Sequence, residues 1–244
     1  MPAIVIIPAR YDSTRFPGKP LYPLKGMPVI QHVYENSKHA RLSDDVIVAT
    51  DNETIFERVF TFGGKAIMTD KKHPSGTDRI AEVAASMHYD IIVNVQADEP
   101  LIRPEMIDDV ITVLDDKRAS IGTLTKKIED PNEIADPNIV KVVFDKEGFA
   151  LYFSRSPIPF QASHSELQTF HSYKHVGIYS YRREVLVALA KMNPTRLEQI
   201  EKLEQLRALE NGMKIKTKET FFETYGVDTP EDLERIGKCL STSL

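Results

Sequence analysis

The stretch from Ile4 to Leu21 reads IVIIPARYDSTRFPGKPL, and the fold prediction starts from it. Its first four residues are an apolar run rich in β-branched side chains, which is typical of a strand buried on both faces. The residues that follow carry Arg10, Arg15 and Lys19, and their prolines prevent a continuous helix. Ligands of α/β proteins bind at the carboxyl ends of strands. The stretch therefore predicts an anion-binding loop, suited to a polyphosphate.

A solvated basic turn is the alternative interpretation of this loop, because surface loops often carry Arg and Lys. Gly18 allows close approach of the backbone just before Lys19, and this favours anion binding. The chain contains neither GxxxxGK[ST] nor GxGxxG. These absences argue against a P-loop kinase and against a dinucleotide-dependent dehydrogenase.

Composition places the chain among ordinary water-soluble globular proteins. It has 244 residues, of which 41% are hydrophobic and 27% charged, and no apolar run approaches the ~20 residues that span a bilayer. We see no secretory signal and expect a cytoplasmic protein without a membrane partner. The net charge of −5 gives no general attraction to nucleic acid. Cys239 is the single cysteine, which excludes an intramolecular disulfide.

Strand-like and helix-like segments alternate through the first half, which predicts an α/β fold with a mostly parallel, Rossmann-like sheet and helices on both faces. Longer strands follow near Ser120, including a hairpin that turns at residues 146–148. A single capped helix is predicted from Thr195 to Gly212, with leucines and Ile200 as its core stripe. The polar run from Gln161 to Ser172 is expected to be mobile or used in assembly.

A second informative stretch, Ile91 to Pro100, is a buried strand that ends in Gln-Ala-Asp-Glu-Pro. It brings Asp98 to the sheet edge where the basic loop should lie, and a bound polyphosphate there would require a hard cation such as Mg²⁺. Asp228 stands before the last helix and is the predicted second carboxylate ligand. The alternatives are a plain turn at Asp98 and a helix-flanking residue at Asp228.

Three weaker signals concern the substrate. Ser75 lies at a loop-to-helix junction that could contact a nucleobase or simply cap the helix. Arg155, at a strand end, could bind the carboxylate of an acidic substrate through two hydrogen bonds. The segment from Lys174 to Tyr179 also brings polar groups out of apolar surroundings. A solvated strand end is the alternative for both. The histidines form no HExxH motif.

Motifs along essentially the whole chain resemble one enzyme family. IIPARYDSTRFPGKPL, HPSGTDRIAEV, IIVNVQADEPLI, KHVGIYSYR and YGVDTPEDLER are similar to segments of the 3-deoxy-manno-octulosonate (KDO) cytidylyltransferases, also called CMP-KDO synthetases. The resemblance implies a Mg²⁺-dependent cytoplasmic homodimer that joins CTP to KDO for lipopolysaccharide synthesis. It also implies one nucleotidyltransferase domain, residues 1–244, in which residues 1–118 mainly bind nucleotide and residues 119–185 mainly bind sugar or form the dimer.

The same resemblance implies roles for particular residues. Lys19, Arg15, Asp98 and Asp228 would be catalytic, with the two aspartates binding Mg²⁺. The nucleotide-binding residues would be Arg10, Ser13, Arg15, Lys19, Ser75, Arg79 and Gln96. The sugar-binding residues would be Arg155, His175, Tyr179, Glu204 and Gln205.

Two residues depart from the family pattern. Ala97 replaces a usual glycine, and its methyl group could narrow the approach to the ligand, while Asp12 puts a negative charge in the phosphate loop. Neither removes a proposed ligand. The alternatives left open are a cytidylyltransferase for 8-amino-KDO or N-acylneuraminate, and a nucleotide-binding regulator without catalysis.

Overall fold

The computed structural model describes residues 1–12, 16–160 and 171–242. In chain order the strands are β1 (Ala3–Ala9), β2 (Pro23–Leu24), β3 (Met27–Pro28), β4 (Asp45–Thr50), β5 (Ala66–Met68), β6 (Ile91–Asn94), β7 (Ile121–Lys127), β8 (Lys141–Phe144), β9 (Ala150–Ser154), β10 (Tyr173–Arg182) and β11 (Ile215–Glu219). The helices are α1 (Val29–Lys38), α2 (Glu53–Thr61), α3 (Gly76–Ala85), α4 (Pro104–Thr112), α5 (Asn132–Ala135), α6 (Arg183–Ala190), α7 (Arg196–Glu201), α8 (Gln205–Glu210) and α9 (Pro230–Thr242).

The chain divides into two compact units. The first comprises Met1–Asp108 together with Glu223–Leu244, and the second comprises Asp109–Phe222. The closing segment, with Asp228 and α9, therefore belongs with the first 108 residues. The functional division predicted at residue 118 stays a prediction.

The first unit is built on a parallel sheet with the strand order β6-β1-β4-β5. All seven residues of β1 are buried, as expected for a strand with neighbours on both sides and covered faces. Helices α1, α2 and α3 pack against these strands. The parallel sheet and its helices confirm the predicted α/β class.

The order of strands in this unit reverses at β1. The chain runs outward from β1 to β4 and β5, then returns through α3 to place β6 on the other side of β1. Such a reversal opens a crevice at the carboxyl ends of the two central strands, which is where α/β proteins bind ligands. The loops after β1 and β6 are therefore placed at one binding edge.

The second unit is a mixed sheet. Strand β7 is parallel to β11 and antiparallel to β10, while β8 pairs antiparallel with β10 and β9. The predicted hairpin is confirmed between β8 and β9. Asp145 Oδ1 accepts hydrogen bonds from the amides of Glu147 and Phe149, each at 2.9 Å, and Gly148 has a φ of +83°. Glycine adopts this left-handed conformation without steric cost, which explains why residue 148 is a glycine.

The prediction of one helix from Thr195 to Gly212 is wrong. The segment forms α7 and α8, separated at Lys202, which has a left-handed φ of +56°. Ile200, assigned to the core stripe, is 66% exposed. The apolar spacing fits one helix, but a left-handed residue ends the hydrogen-bond ladder and turns the chain. The predicted start of the helix was correct, since the Glu198 carboxylate accepts a hydrogen bond from the Thr195 amide at 3.0 Å.

Among the residues that the structure describes, no helix has the length and apolar character needed to cross a bilayer. The prediction for Gln161 to Ser172 falls mainly on residues 161–170, which lie outside the described residues.

Candidate active site

The first unit contains a cleft of about 610 Å³, a volume that suits a small-molecule ligand. It lies where the loops after β1 and β6 emerge from the sheet. Its lining residues are Pro8, Arg10, Asp12, Pro17, Lys19, Pro20, His73, Pro74, Ser75, Gly76, Arg79, Gln96, Ala97, Asp98 and Asp228. Every described residue predicted for nucleotide or metal binding is in this set. The predictions for Ser13 and Arg15 fall outside the described residues.

Lys19 joins the two predicted carboxylates. Its ammonium nitrogen forms a short ion pair with Asp98 Oδ2 and a second ion pair with Asp228 Oδ1 at 3.3 Å. The Lys19 side chain is 17% exposed, against 26% for Asp98 and 45% for Asp228. Two acidic groups 130 positions apart in sequence thus converge on one cation. The ammonium lowers the repulsion between them in the absence of another cation.

A backbone hydrogen bond ties the two acidic segments together. The amide of Val227 donates to the carbonyl of Asp98 at 2.8 Å, immediately before Asp228. Val227 is fully buried in a cluster whose other core members are Phe16, Leu24, Val29 and Ile236. Phe16 of this cluster belongs to the basic loop, and Val227 directly precedes Asp228. Apolar packing therefore sets the position of both charged segments.

Asp232 shapes the turn at Asp228. Its Oδ2 accepts from the amides of Asp228 and Thr229, each at 3.1 Å. Thr229 Oγ1 in turn accepts from the Asp232 amide at 3.2 Å, so Thr229 caps the first turn of α9. The capping arrangement holds the backbone of Asp228 and leaves its carboxylate directed to Lys19.

The loop after β1 is closed by a hydrogen bond from the Gly18 amide to the Tyr11 carbonyl at 2.8 Å. Gly18 has a φ of +71°, and a Cβ atom there would lie 3.1 Å from the Tyr11 ring. Both facts require glycine immediately before Lys19. Arg10 and Asp12 are exposed at the cleft.

Ser75 caps α3, which was one of the two roles considered for it. Its Oγ accepts from the Asp78 amide at 3.2 Å and donates to Asp78 Oδ2 at 2.7 Å. A Cβ atom on Gly76 would lie 3.2 Å from Pro8 Cγ. This glycine therefore lets the start of α3 approach the end of β1 and form one wall of the cleft.

Arg79 lines the cleft, but its guanidinium already has partners. It donates to Asp51 Oδ2 at 2.7 Å and makes a short hydrogen bond to Thr69 Oγ1, and its side chain is 4% exposed. Asp51 and Thr69 directly follow β4 and β5. Arg79 therefore joins α3 to two strand ends. Its contact with nucleotide stays a prediction.

His73 is a cleft residue that sequence reasoning did not select. Its Nε2 makes a short hydrogen bond with Glu82 Oε2, which also accepts from the Asp70 amide at 3.1 Å. The hydrogen bond to His73 holds the pKa of Glu82 below its usual value. This contact fastens the loop before α3 to the helix.

The loop after β6 supplies Gln96, Ala97 and Asp98 to the cleft. Gln96 Nε2 donates to Asn94 Oδ1 at 3.2 Å. Burial raises the pKa of the neighbouring Glu99 carboxyl to about 8, and the charge of Asp98 adds to the effect. The raised pKa makes Glu99 a weaker candidate for a metal ligand than Asp98, which lines the cleft.

The donor set fits a magnesium ion shared with phosphate. Asp98 and Asp228 provide hard oxygen donors and already contact a common cation, the Lys19 ammonium. Within the described ranges no group of three or more His, Cys, Asp or Glu could hold a metal by itself. A site with two carboxylates requires further oxygen ligands, and Mg²⁺ usually takes these from water and substrate phosphates.

The predicted sugar-binding residues all belong to the second unit, Asp109–Phe222. His175 lies on β10, with its ring 5.2 Å from the rings of both Phe153 and Tyr179. Burial lowers the pKa of His175 to about 3 and raises the pKa of Tyr179 well above its usual value. Both side chains are neutral at pH 7.

Arg155 is held by backbone carbonyls. Its Nε donates to the Glu201 carbonyl and its Nη1 to the Pro137 carbonyl, each at 2.9 Å. The Glu201 carboxylate accepts from the Arg155 amide at 3.0 Å and from Ser154 Oγ at 2.7 Å. Lys141 binds the same loop as Pro137, donating to the Asp136 carbonyl at 2.6 Å. The contact of Arg155 with a substrate carboxylate stays a prediction.

Glu204 and Gln205 lie at the start of α8, after the break at Lys202. Both are half-buried, and Glu204 forms an ion pair with Arg207 at 3.7 Å. Without the break, the two residues would continue the direction of α7. The break therefore decides where these predicted sugar contacts point.

Several residues that support the site had little signal in the sequence. Asp51 could have been found from its place after a predicted strand, like Asp98. Glu201 and Thr123 act through contacts with residues 46 and 52 positions away. No local pattern predicts such contacts.

The parallel sheet with a charged cleft at the carboxyl ends of its central strands is typical of nucleotide-binding α/β proteins, and comparison with known proteins gives the family. The cytidylyltransferase family profile matches residues 4–215. The chain is 54% identical to 3-deoxy-manno-octulosonate cytidylyltransferase of Thermodesulfovibrio yellowstonii, over 99% of both chains. It is 48% identical to the enzyme of the same name in Solibacter usitatus, over 98% of this chain and 94% of that one. The chain therefore belongs to the 3-deoxy-manno-octulosonate cytidylyltransferase family.

Solved structures agree with this assignment. A CMP:2-keto-3-deoxy-manno-octonic acid synthetase complexed with CTP superposes with a TM-score of 0.94 at 43% identity, over the whole of both chains. A cytidylyltransferase from Leptospira borgpetersenii, at 19% identity and a TM-score of 0.67, shares the fold, covering 100% of this chain and 88% of that one.

Proposed function

We propose that this protein transfers CMP from CTP to KDO and releases pyrophosphate. The observation that carries the proposal is the convergence of Lys19, Asp98 and Asp228 in one cleft of a chain that belongs to this family. In the reaction, the anomeric hydroxyl oxygen of KDO bonds to the α-phosphorus of CTP. The bond from that phosphorus to the bridging oxygen breaks, pyrophosphate leaves with its electron pair, and the proton of the hydroxyl is released to solvent.

Mg²⁺ bound by Asp98 and Asp228 would neutralise phosphate charge and lower the pKa of the attacking hydroxyl. Lys19 balances the charge of both carboxylates when the cleft is free of substrate. Its three donors can then bind the phosphates of CTP, where they stabilise the charge that develops on the leaving group. Arg10, at the edge of the cleft, adds positive charge for the triphosphate.

Pyrophosphate release tests this function directly. The purified protein is assayed with each nucleoside triphosphate in combination with KDO, 8-amino-KDO and N-acetylneuraminate. We expect turnover with CTP and KDO and with Mg²⁺ present. Faster turnover with another acid would identify that acid, and not KDO, as the substrate. CTP binding without any product would indicate a regulator without catalysis.

Asp98→Asn provides the matched variant, because it removes the charge and keeps the shape. We expect turnover to fall by at least about 100-fold while circular dichroism stays that of the wild type, since the amide is a poor ligand for a hard cation. Near-normal turnover would remove Asp98 from the mechanism. Asp90→Asn, an exposed carboxylate outside the cleft lining, is the control and should retain turnover.

We further propose a cytoplasmic homodimer that serves lipopolysaccharide synthesis. Leu151 and Phe160 of the second unit are 63% and 90% exposed, which favours a partner surface there. Light scattering should give about twice the chain mass of 27.7 kDa. A monomeric mass at assay concentration would reject the dimer.

A further inference from the structure

Thr123 on β7 faces the point where the register between β7 and β10 shifts, between Val176 and Tyr179. The residue is completely buried. Its Oγ1 has three polar neighbours: His175 Nε2 at 2.9 Å, the Ile178 carbonyl at 2.8 Å and the Val176 carbonyl at 3.3 Å. One hydroxyl therefore contacts a predicted sugar-binding histidine and two groups that can only accept hydrogen bonds.

The hydroxyl of Thr123 has one proton to donate, and this decides the direction of each bond. If the proton pointed to His175, the oxygens of Thr123 and Ile178 would face each other at 2.8 Å with no proton between them. The hydroxyl therefore donates to the Ile178 carbonyl. It follows that His175 Nε2 carries a proton and donates to Oγ1, while Nδ1 of the neutral ring keeps its lone pair.

The surroundings keep the ring neutral and in place. Burial lowers the pKa of His175 to about 3, so the doubly protonated form is absent at pH 7. Phe153 contacts the ring edge-on, with an interplanar angle of 84°, and Tyr179 lies on another side. Rotation of the imidazole would break the contact with Thr123 and disturb this aromatic packing.

We propose that Thr123 is a positioning residue that holds His175 as the Nε2–H tautomer, so that Nδ1 accepts a hydrogen bond from a hydroxyl of the sugar acid. A carboxylate cannot donate to this nitrogen, so His175 recognises a hydroxyl and leaves the carboxylate to other residues. The hydroxyl contact rests on the proposed function and on the predicted sugar-binding role of His175, whereas the tautomer follows from the hydrogen bonds of the protein alone.

Nitrogen-15 NMR of the substrate-free protein, labelled in histidine, tests the tautomer at pH 7. The signal of His175 is identified by its loss in His175→Gln. In the wild type we expect Nε2 to be protonated and Nδ1 unprotonated. Thr123→Val keeps the volume but cannot accept a hydrogen bond, so this preference should be lost. Thr123→Ser keeps the hydroxyl and should retain it.

Steady-state kinetics test the hydroxyl contact. We expect the KM for KDO to rise about three- to tenfold in Thr123→Val, the factor that one neutral hydrogen bond supplies, while the KM for CTP is unchanged. Thr123→Ser should restore the wild-type value. Thr112→Val is the control, since Thr112 lies at the end of α4 and its hydroxyl donates to the Asp109 carbonyl, away from His175.

Each outcome bears on the proposal. His175 protonated at Nδ1, or at both nitrogens, overturns it, as does a Thr123→Val protein with unchanged tautomer and unchanged KM for KDO. If Thr123→Val does not fold, the nitrogen-15 spectrum of the wild type tests the tautomer, and the KM of Thr123→Ser for KDO tests the hydroxyl contact. An Nε2–H ring in a protein that does not turn over KDO would support the tautomer and overturn the hydroxyl contact together with the proposed function.

Discussion

At the scale of single residues, Lys19 has the largest electrostatic role in the cleft, because it is the cation that Asp98 and Asp228 share. Lys19→Met keeps most of the apolar stem and removes the charge. We expect turnover to fall about 100- to 1000-fold, because a charged donor to the leaving group is lost. Binding of Mg²⁺ without CTP should become stronger, because no ammonium competes for the carboxylates.

Pyrophosphate release and calorimetric titration with MgCl₂ measure these two opposite effects. Lys25→Met is the control, since Lys25 is an exposed lysine outside the cleft lining and should change neither quantity. Weaker Mg²⁺ binding by Lys19→Met would contradict the assignment of both aspartates as metal ligands.

Arg79 shows a different use of a buried charge. Its guanidinium pairs with Asp51, and both groups lie at the ends of elements that form the cleft. A buried ion pair contributes little net stability, but removal of one partner is costly. Arg79 therefore fixes the position of α3 relative to β4 and β5.

At the scale of elements, the apolar cluster around Val227 holds the segment that carries Asp228. Val227→Ala should lower the free energy of unfolding by about 1–3 kcal/mol, because it removes two buried methyl groups and leaves a cavity. It should also reduce turnover, because Asp228 directly follows Val227. Chemical denaturation and pyrophosphate release measure the two effects.

Val59→Ala is the matched control for this prediction. Val59 is fully buried in α2 of the same unit but does not line the cleft. It should cost similar stability and leave turnover unchanged. Equal losses of turnover in the two variants would show that the cluster around Val227 has no special role in placing Asp228.

The break between α7 and α8 has a structural role that only the three-dimensional structure shows. It ends α7 at Glu201, whose carbonyl and carboxylate both bind Arg155. In a continuous helix the Glu201 carbonyl would accept from the amide four residues later. The left-handed residue Lys202 therefore directs Glu201 to Arg155.

At the scale of the whole molecule, the lowered pKa of His175 predicts its contribution to the pH dependence of stability. Its pKa is about 3 in the folded state, against about 6.5 in the unfolded chain. Between these values His175 of the unfolded chain binds more protons, so the contribution of this residue to stability rises with pH and is lost as pH falls below 6.5. The expected loss is roughly 2 kcal/mol from pH 6.5 to pH 5, on the order of 1.4 kcal/mol per unit. The raised pKa of Glu99 acts with the opposite sign, because its protonated form stabilises the folded chain as pH falls below about 8.

Urea unfolding at pH 7, 6 and 5 measures this dependence, with His175→Gln as the comparison. The stability of the wild type relative to the variant should fall as pH falls, because the variant side chain does not titrate and the contribution of Glu99 is common to both proteins. Glu198 also has a shifted pKa, but burial raises it less than its bonds with Arg207 and Thr195 lower it, so its contribution is lost at more acidic pH. Equal slopes in wild type and variant would contradict a neutral buried His175.

The amino-acid sequence by itself determined the α/β class, the strand at Ile4, the basic loop and the acidic strand end at Asp98. These features are local, because burial of an apolar run, a proline that blocks a helix and a carboxylate at a strand end can each be read from neighbouring residues. The order of elements also predicted that both loops meet at one edge of the sheet.

Only the tertiary structure decided which of these groups touch. The ion pairs of Lys19 with Asp98 and Asp228 span 79 and 209 positions, and the hydrogen bond of Thr123 to His175 spans 52. Such contacts depend on the strand order, the cluster around Val227 and the register shift in β10, which no short pattern encodes. The physical reason is that packing of the whole chain sets distances between side chains, whereas local sequence sets only the conformation of each segment.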